Sequence, residues 1–181
     1  MSSPFRLLSW PLFFTLFTPC ACSPSLSENG DCARYDFKLS PAPANTRHVA
    51  CSSAECGDGL SPPTSGPHCA NTLSCRVHDS EPNRCVWLHN LEHGHAVFLY
   101  NCPEGCPELV ATLESIQREA RVGPNGVTRA LVAPDARLPT RVAGLLWRRA
   151  WSADTLDATA LRCLLRLQDA DAPEPQLACS P

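Results

Sequence analysis

An α+β domain, in which a small sheet of about four strands is covered by two helices, is predicted by three observations. Strand-like apolar runs and helix-like apolar stripes follow one another in the order β-β-α-β-β-α. One run, Ala96-Val97-Phe98-Leu99-Tyr100, is apolar without alternation and carries β-branched and aromatic members, as a strand covered on both faces requires. Twelve cysteines and eighteen prolines in 181 residues predict a disulfide-rich fold with a Pro-rich N-terminal segment. That length suits one domain with its own core and is short for two.

The chain opens on an export signal. Arg6 supplies a minimal positive region, and Leu7 to Phe17 an apolar run too short to cross a hydrocarbon layer of about 30 Å. Ala21-Cys22-Ser23 resembles a bacterial lipoprotein processing site, with Pro19 where such sites carry leucine or a similar residue. Cleavage before Cys22 leaves eleven cysteines, and lipidation of Cys22 leaves ten, an even number for pairing. Cleavage after Cys22 by an ordinary signal peptidase leaves the same ten. On either route the protein is exported, and on the first it is anchored to a bacterial envelope membrane through the lipid on Cys22. The expected layout is a signal peptide at 1–21, a tether at 22–47 partly pinned by cysteine, a domain at 48–170 and a tail at 171–181.

Ser40-Pro41-Ala42-Pro43-Ala44 reads as an extended spacer. Cys51 and Cys56 either close a small loop on each other or reach the body separately. A cysteine-rich loop with Cys69, Cys75 and Cys85 follows, its Asp79-Ser80-Glu81-Pro82 stretch marking it as exposed. Strand signals begin at Cys85-Val86-Trp87-Leu88 and peak at Ala96–Tyr100. Pro107 starts a helix, a position where its missing N–H costs nothing, and Leu109, Val110, Leu113, Ile116, Gln117 and Ala120 form its inward stripe. Val127 to Ala133 is the next strand, and Arg141 to Trp151 holds another, centred on Val142 to Trp147. Asp154 or Asp157 caps a last helix with a stripe of Leu161, Leu164, Leu165 and Leu167, stopped by Pro173 and Pro175. Cys32, Cys51, Cys56, Cys69, Cys75, Cys85, Cys102, Cys106, Cys163 and Cys179 are the disulfide candidates. Cys102–Cys106 and Cys163–Cys179 are the local pairs expected among them.

Fifteen basic against eighteen acidic residues leave no polycationic face, so a nucleic-acid partner is not expected. The chemistry-bearing stretch runs from Ser61 to Tyr100. It opens on Pro62-Pro63-Thr64-Ser65-Gly66-Pro67-His68 and closes on His89-Asn90-Leu91-Glu92-His93-Gly94-His95. His68, His89 and His93 with Glu92 offer three nitrogens and an oxygen, a donor set suited to zinc or copper(II), with His48 a further candidate. On a helix, His89 and His93 share one face with Glu92 beside them; in an extended chain Glu92 points the other way and serves as an acceptor for an imidazole N–H. The plain alternative is a rigid turn and a satisfied His–Glu hydrogen bond with no ligand at all. Copper(I) is disfavoured, since the sole methionine is Met1 in the signal.

Two enzymatic patterns compete. His89-Asn90-Leu91-Glu92-His93 fits the H-x-x-E-H signature of inverted-motif metallopeptidases, but Pro82, Gly94 and the strand at 96–100 leave room for about two helical turns only. Cys102-Pro103-Glu104-Gly105-Cys106-Pro107 before a helix resembles the strand–dithiol–helix layout of thioredoxin-like proteins. Three residues separate these cysteines where the redox motif has two, so a structural bridge is the simpler expectation. An envelope interaction module without metal is the remaining class.

Pro62–His68 and His89–Gly94 resemble the two signature motifs of the DUF3105 family, bacterial proteins that look exported or membrane-anchored. The likeness runs from about His48-Val49 to Gln168, taking in the helix, the Trp-containing strand and the acid-capped helix. The resemblance implies the fold just described and brings no activity with it.

Overall fold

A computed structural model describes residues 32–181. The signal at 1–21, Cys22 and the start of the tether lie outside the described residues. A 3-10 turn at Cys32–Arg34 leads through irregular chain to β1 (His48–Val49), which pairs in parallel with β2 (His68–Cys69). Then follow α1 (Arg84–Glu92), β3 (Ala96–Tyr100), α2 (Pro107–Gln117), β4 (Ala130–Pro134), β5 (Val142–Leu146), β6 (Arg149–Ala153) and α3 (Ala158–Leu165). The main sheet has the order β4-β3-β5-β6, with β3 and β4 parallel and the other pairs antiparallel. The fold is the expected α+β class, and its four main strands are not all the predicted ones.

Cys85–Leu88, expected as a strand, is the start of α1. A short apolar run does not by itself distinguish strand from buried helix. Here the Asn83 side chain accepts from the Cys85 N–H and caps a helix, and Arg84 then holds Asp135 with two hydrogen bonds of 2.7 and 2.9 Å. The fourth strand comes instead from Arg141–Trp151, expected as one strand. It folds back at Trp147-Arg148 into the β5–β6 hairpin, Leu146 facing Arg149. Arg148 sits at φ 61°, and its N–H donates to Thr64 O and its Nε to Ser40 O. The hairpin tip therefore braces the Pro62–His68 turn.

Alternation along the strands sorts the core into two layers. Ala96, Phe98, Ala130 and Val132 face Leu113 and Ile116 of α2 and Leu161 and Leu164 of α3. Val97, Leu99, Leu131, Ala133, Ala143 and Leu145 face Trp87, Leu88 and Leu91 of α1, with Trp147 beside them. Gly144 permits the close approach of α3: a Cβ there would stand 2.5 Å from Leu161 Cδ2. Pro107 is the first residue of α2, and Asp157 rather than Asp154 caps α3 by accepting from the Thr159 and Ala160 N–H groups. The outer edge of β4 is covered by the cysteine-rich loop, through Val132 N–H to Arg76 O and His78 N–H to Val132 O.

All ten cysteines of the described residues are paired: Cys32–Cys163, Cys51–Cys69, Cys56–Cys85, Cys75–Cys179 and Cys102–Cys106. The expected Cys163–Cys179 bridge is not formed. Cys163 faces the segment near Cys32, where Tyr35 donates its hydroxyl to Asp157. The tail instead runs beside the cysteine-rich loop, with Cys75 N–H donating to Ser180 O and Asn125 Nδ2 to Cys179 O. Cys51 and Cys56 reach the body separately.

Candidate metal centre

The Pro62–His68 turn is held from inside. Asp58 Oδ2 accepts from Thr64 N–H, Thr64 Oγ1 and Ser65 Oγ at 3.1, 2.9 and 3.0 Å. Gly57 N–H donates to Pro67 O at 2.8 Å. Gly66 has φ 102°, and a Cβ on it would lie 2.6 Å from the Gly57 carbonyl, so only glycine fits. The turn delivers His68 fully buried, with Trp147 edge-on at 6.3 Å between ring centroids. The β1–β2 pairing sets His48 directly opposite His68.

From the other side comes α1. His89 and Glu92 are three residues apart and His93, its C-cap, is one further, so all three share a helix face. The helical alternative is thus the one adopted. Ligand atoms of His48, His68, His89 and Glu92 all lie within 4.8 Å of one another. The Glu92 Oε2 atom is 2.9 Å from His68 Nε2 and 3.8 Å from His89 Nε2. His93 falls into an adjoining group with Glu92 and Glu174, its Nε2 3.4 Å from Glu174 Oε2. His48, the more remote candidate in the sequence, therefore joins the main group, and His93 flanks it. Glu174 escaped sequence reading altogether, being an acid between two prolines in a tail with no periodicity.

Two histidines belong to the fold. His95 takes Asn90 Nδ2 on its Nδ1 and contacts Leu177 O through Nε2, so both ring nitrogens are occupied. His78 Nε2 lies 3.0 Å from Ser74 O.

The electrostatics turn on His68. Its Nδ1 is 2.9 Å from Gly66 O and must donate its proton there. In the neutral ring Nε2 is then a bare lone pair facing a carboxylate, two acceptors in contact. Nε2 is buried and off line for a good hydrogen bond, despite the 2.9 Å separation. A cation is needed between them, a proton or a metal. Without metal, burial pushes the His68 pKa down, and the Glu92 carboxylate and Gly66 carbonyl more than offset it, raising the pKa above the ordinary value. His89 behaves oppositely: burial, then the neighbouring His93 and His68, lower it to about 4. Burial also lowers His93, against the pull of Glu174 and Glu92. Burial works to raise Glu92, but the close contact with His68 and the nearby imidazoles hold it below the usual carboxylate range. At neutral pH the centre thus contains an ionised Glu92 and, at His89 and His93, imidazoles held toward the neutral form in which such groups bind metal. His89 Nδ1 is a further buried nitrogen without a hydrogen-bond partner.

Cys102 and Cys106 bridge each other at the start of α2, with Cys106 as its N-cap. The metallopeptidase pattern would use His89 and His93 as one ligand pair, whereas these two histidines belong to different groups around Glu92.

These features define a small disulfide-rich α+β domain with a buried His/Glu cluster between a proline turn and a short helix. The family model for DUF3105, described as a protein of unknown function, matches residues 48–181, and the chain belongs to that family. The match begins at His48 and extends through Glu174, so it includes both groups. No curated protein and no solved structure matches the chain.

Proposed function

We propose that this protein is an exported, lipid-anchored envelope protein that binds a divalent transition metal, zinc or copper(II), through His48, His68, His89 and Glu92. The observation that carries the reading is the His68–Glu92 contact. The Gly66 carbonyl fixes the tautomer so that a nitrogen lone pair meets a carboxylate at 2.9 Å in a buried place. Three imidazoles lie around that carboxylate, and a single proton on His68 leaves the buried His89 Nδ1 without a hydrogen-bond partner. A tetrahedral zinc ion with bonds of about 2.0–2.1 Å places its ligands about 3.3 Å apart, a modest closing of the observed cluster. The competing reading is a purely structural His68–Glu92 ion pair, favoured by the raised His68 pKa of the metal-free chain.

Export is supported by the N-terminal sequence and by the pairing of every described cysteine, which suits an oxidising compartment. The lipid on Cys22 would be the membrane contact, and an acyl increment in the mature mass tests it. Metal binding is tested on exported protein with its disulfides intact, by elemental analysis and competition with a chromophoric chelator. The expected result is tight uptake of zinc or copper(II), weakened at least about tenfold by His68→Ala or His89→Ala. Failure to take up either metal at better than micromolar affinity, with His89→Ala altering stability alone, would establish the structural reading.

A further inference from the structure

We propose that Glu92 is a shared carboxylate and that a second divalent transition cation binds beside the first, held by Glu92, His93 and Glu174. This inference rests on the metal-binding reading above and extends it from one ion to a pair.

Ligand atoms of these three residues lie within 4.8 Å of one another, forming a group that meets the first at Glu92. The two groups adjoin. His89 of the first and His93 of the second are one helical turn apart, their ring centroids separated by 4.4 Å. The His89 residue is 7% exposed, and its Nδ1 atom is buried with no hydrogen-bond partner. A carboxylate has two oxygens and about four lone-pair sites, so one group can serve two cations. Paired metals in such centres stand about 3.5–4 Å apart, a spacing that a shared carboxylate spans.

Glu174 is placed by backbone, not by chance contact. Its N–H donates to the carbonyl of Glu92 itself at 3.1 Å. Two residues on, Gln176 N–H donates to Asp169 Oδ1 at 3.0 Å, and the Cys75–Cys179 bridge pins the tail beyond. The Glu174 side chain is 58% exposed and that of His93 16%, so the second cation has an open side where solvent completes its coordination. One nitrogen and two carboxylates with open positions suit zinc or copper(II) bound more weakly and exchanged more readily than in the buried group.

The test is a zinc titration of the intact exported protein against a chromophoric chelator, followed by copper(II) loading and electron paramagnetic resonance. Two equivalents are expected, the second at least about tenfold weaker than the first. Glu174→Ala and His93→Ala should each abolish the second equivalent and leave the first. With two coppers sharing Glu92, the integrated spin signal should fall short of the copper content, and Glu174→Ala, loaded with one copper, should restore it. A single equivalent, unchanged by Glu174→Ala, overturns the pair and leaves the first site standing. Two equivalents with full, uncoupled spin intensity overturn the sharing of Glu92. No uptake of either metal overturns both readings. Thermal unfolding of each variant confirms that it is folded.

Discussion

The two faces of the central sheet are built on different principles. One is covered by α2 and α3, whose leucines and isoleucine pack on Ala96, Phe98, Ala130 and Val132 in an apolar layer, with Gln117 donating to Ala130 O at its edge. The other is covered by α1, a helix of nine residues, and by the proline turn that hydrogen bonds pin to the hairpin tip. Seven of those nine residues are buried, among them His89, Asn90 and Glu92. The first face is stabilised by burial that any well-fitting apolar side chains would supply. The second buries ionisable groups, which cost free energy unless each finds a partner, and it concentrates them around one carboxylate. Apolar packing and the buried ionisable cluster lie on opposite sides of one sheet.

That division can be broken by substitution, and the largest effect should come from the site face. Glu92→Ala removes the carboxylate common to both proposed sites, and metal affinity measured by chelator competition should fall by at least about a hundredfold, at or beyond the top of the range seen for lost supporting residues. Leu161→Ala on the other face should do the reverse. It opens a cavity under α3 at a fully buried position, lowers unfolding free energy by about 2–5 kcal/mol in denaturant and leaves metal affinity unchanged. Equal effects of both variants on both readouts would mean the faces are not separable.

The Cys75–Cys179 bridge links the two properties, because it closes 104 residues and anchors the tail that carries Glu174. Replacing both cysteines by serine should cost about 2–4 kcal/mol and weaken the second metal equivalent more than the first. Acid should act on the site face. His89 and His95 both have pKa values lowered to about 4 from an ordinary 6.5, so the unfolded chain binds more protons than the folded one in that window. Stability of the metal-free protein should therefore fall as pH drops from 6.5 toward 4, and His95→Gln should flatten the decline in thermal melts. His68 works in the opposite sense: its raised pKa contributes stability at low pH that is lost as pH rises through the raised value. The smallest effect expected is that of Asp157→Ala, which removes the α3 cap on the apolar face and should cost about 1 kcal/mol without touching metal uptake.

The apolar face was the more legible in the sequence, for a physical reason. Pro107 and the Leu113/Ile116 stripe mark α2, and an acidic cap with the Leu161/Leu164 stripe marks α3, because burial against a sheet demands helical spacing of apolar residues. On α1 the same reading fails. A helix buried nearly all round has no polar face to reveal its period, so Cys85–Leu88 passes for a strand. The site was half legible: His68, His89, Glu92 and His93 stand out by their motifs, and His48 only by its following valine. Glu174 carries no local signal, since a backbone bond to Glu92 is what places it.

By itself, then, the sequence determined the α+β class, the strand Ala96–Tyr100, the two amphipathic helices and the grouping of imidazoles around one glutamate. These follow from local spacing, turn chemistry and the partition of apolar side chains. Tertiary structure alone decided which cysteines pair, that the fourth strand arises by folding Arg141–Trp151 back on itself, and that His48 stands opposite His68 while Glu174 stands opposite His93. Those choices join residues up to 131 positions apart, as in Cys32–Cys163, and are settled by which surfaces the packed core leaves adjacent, a property no stretch of chain carries alone.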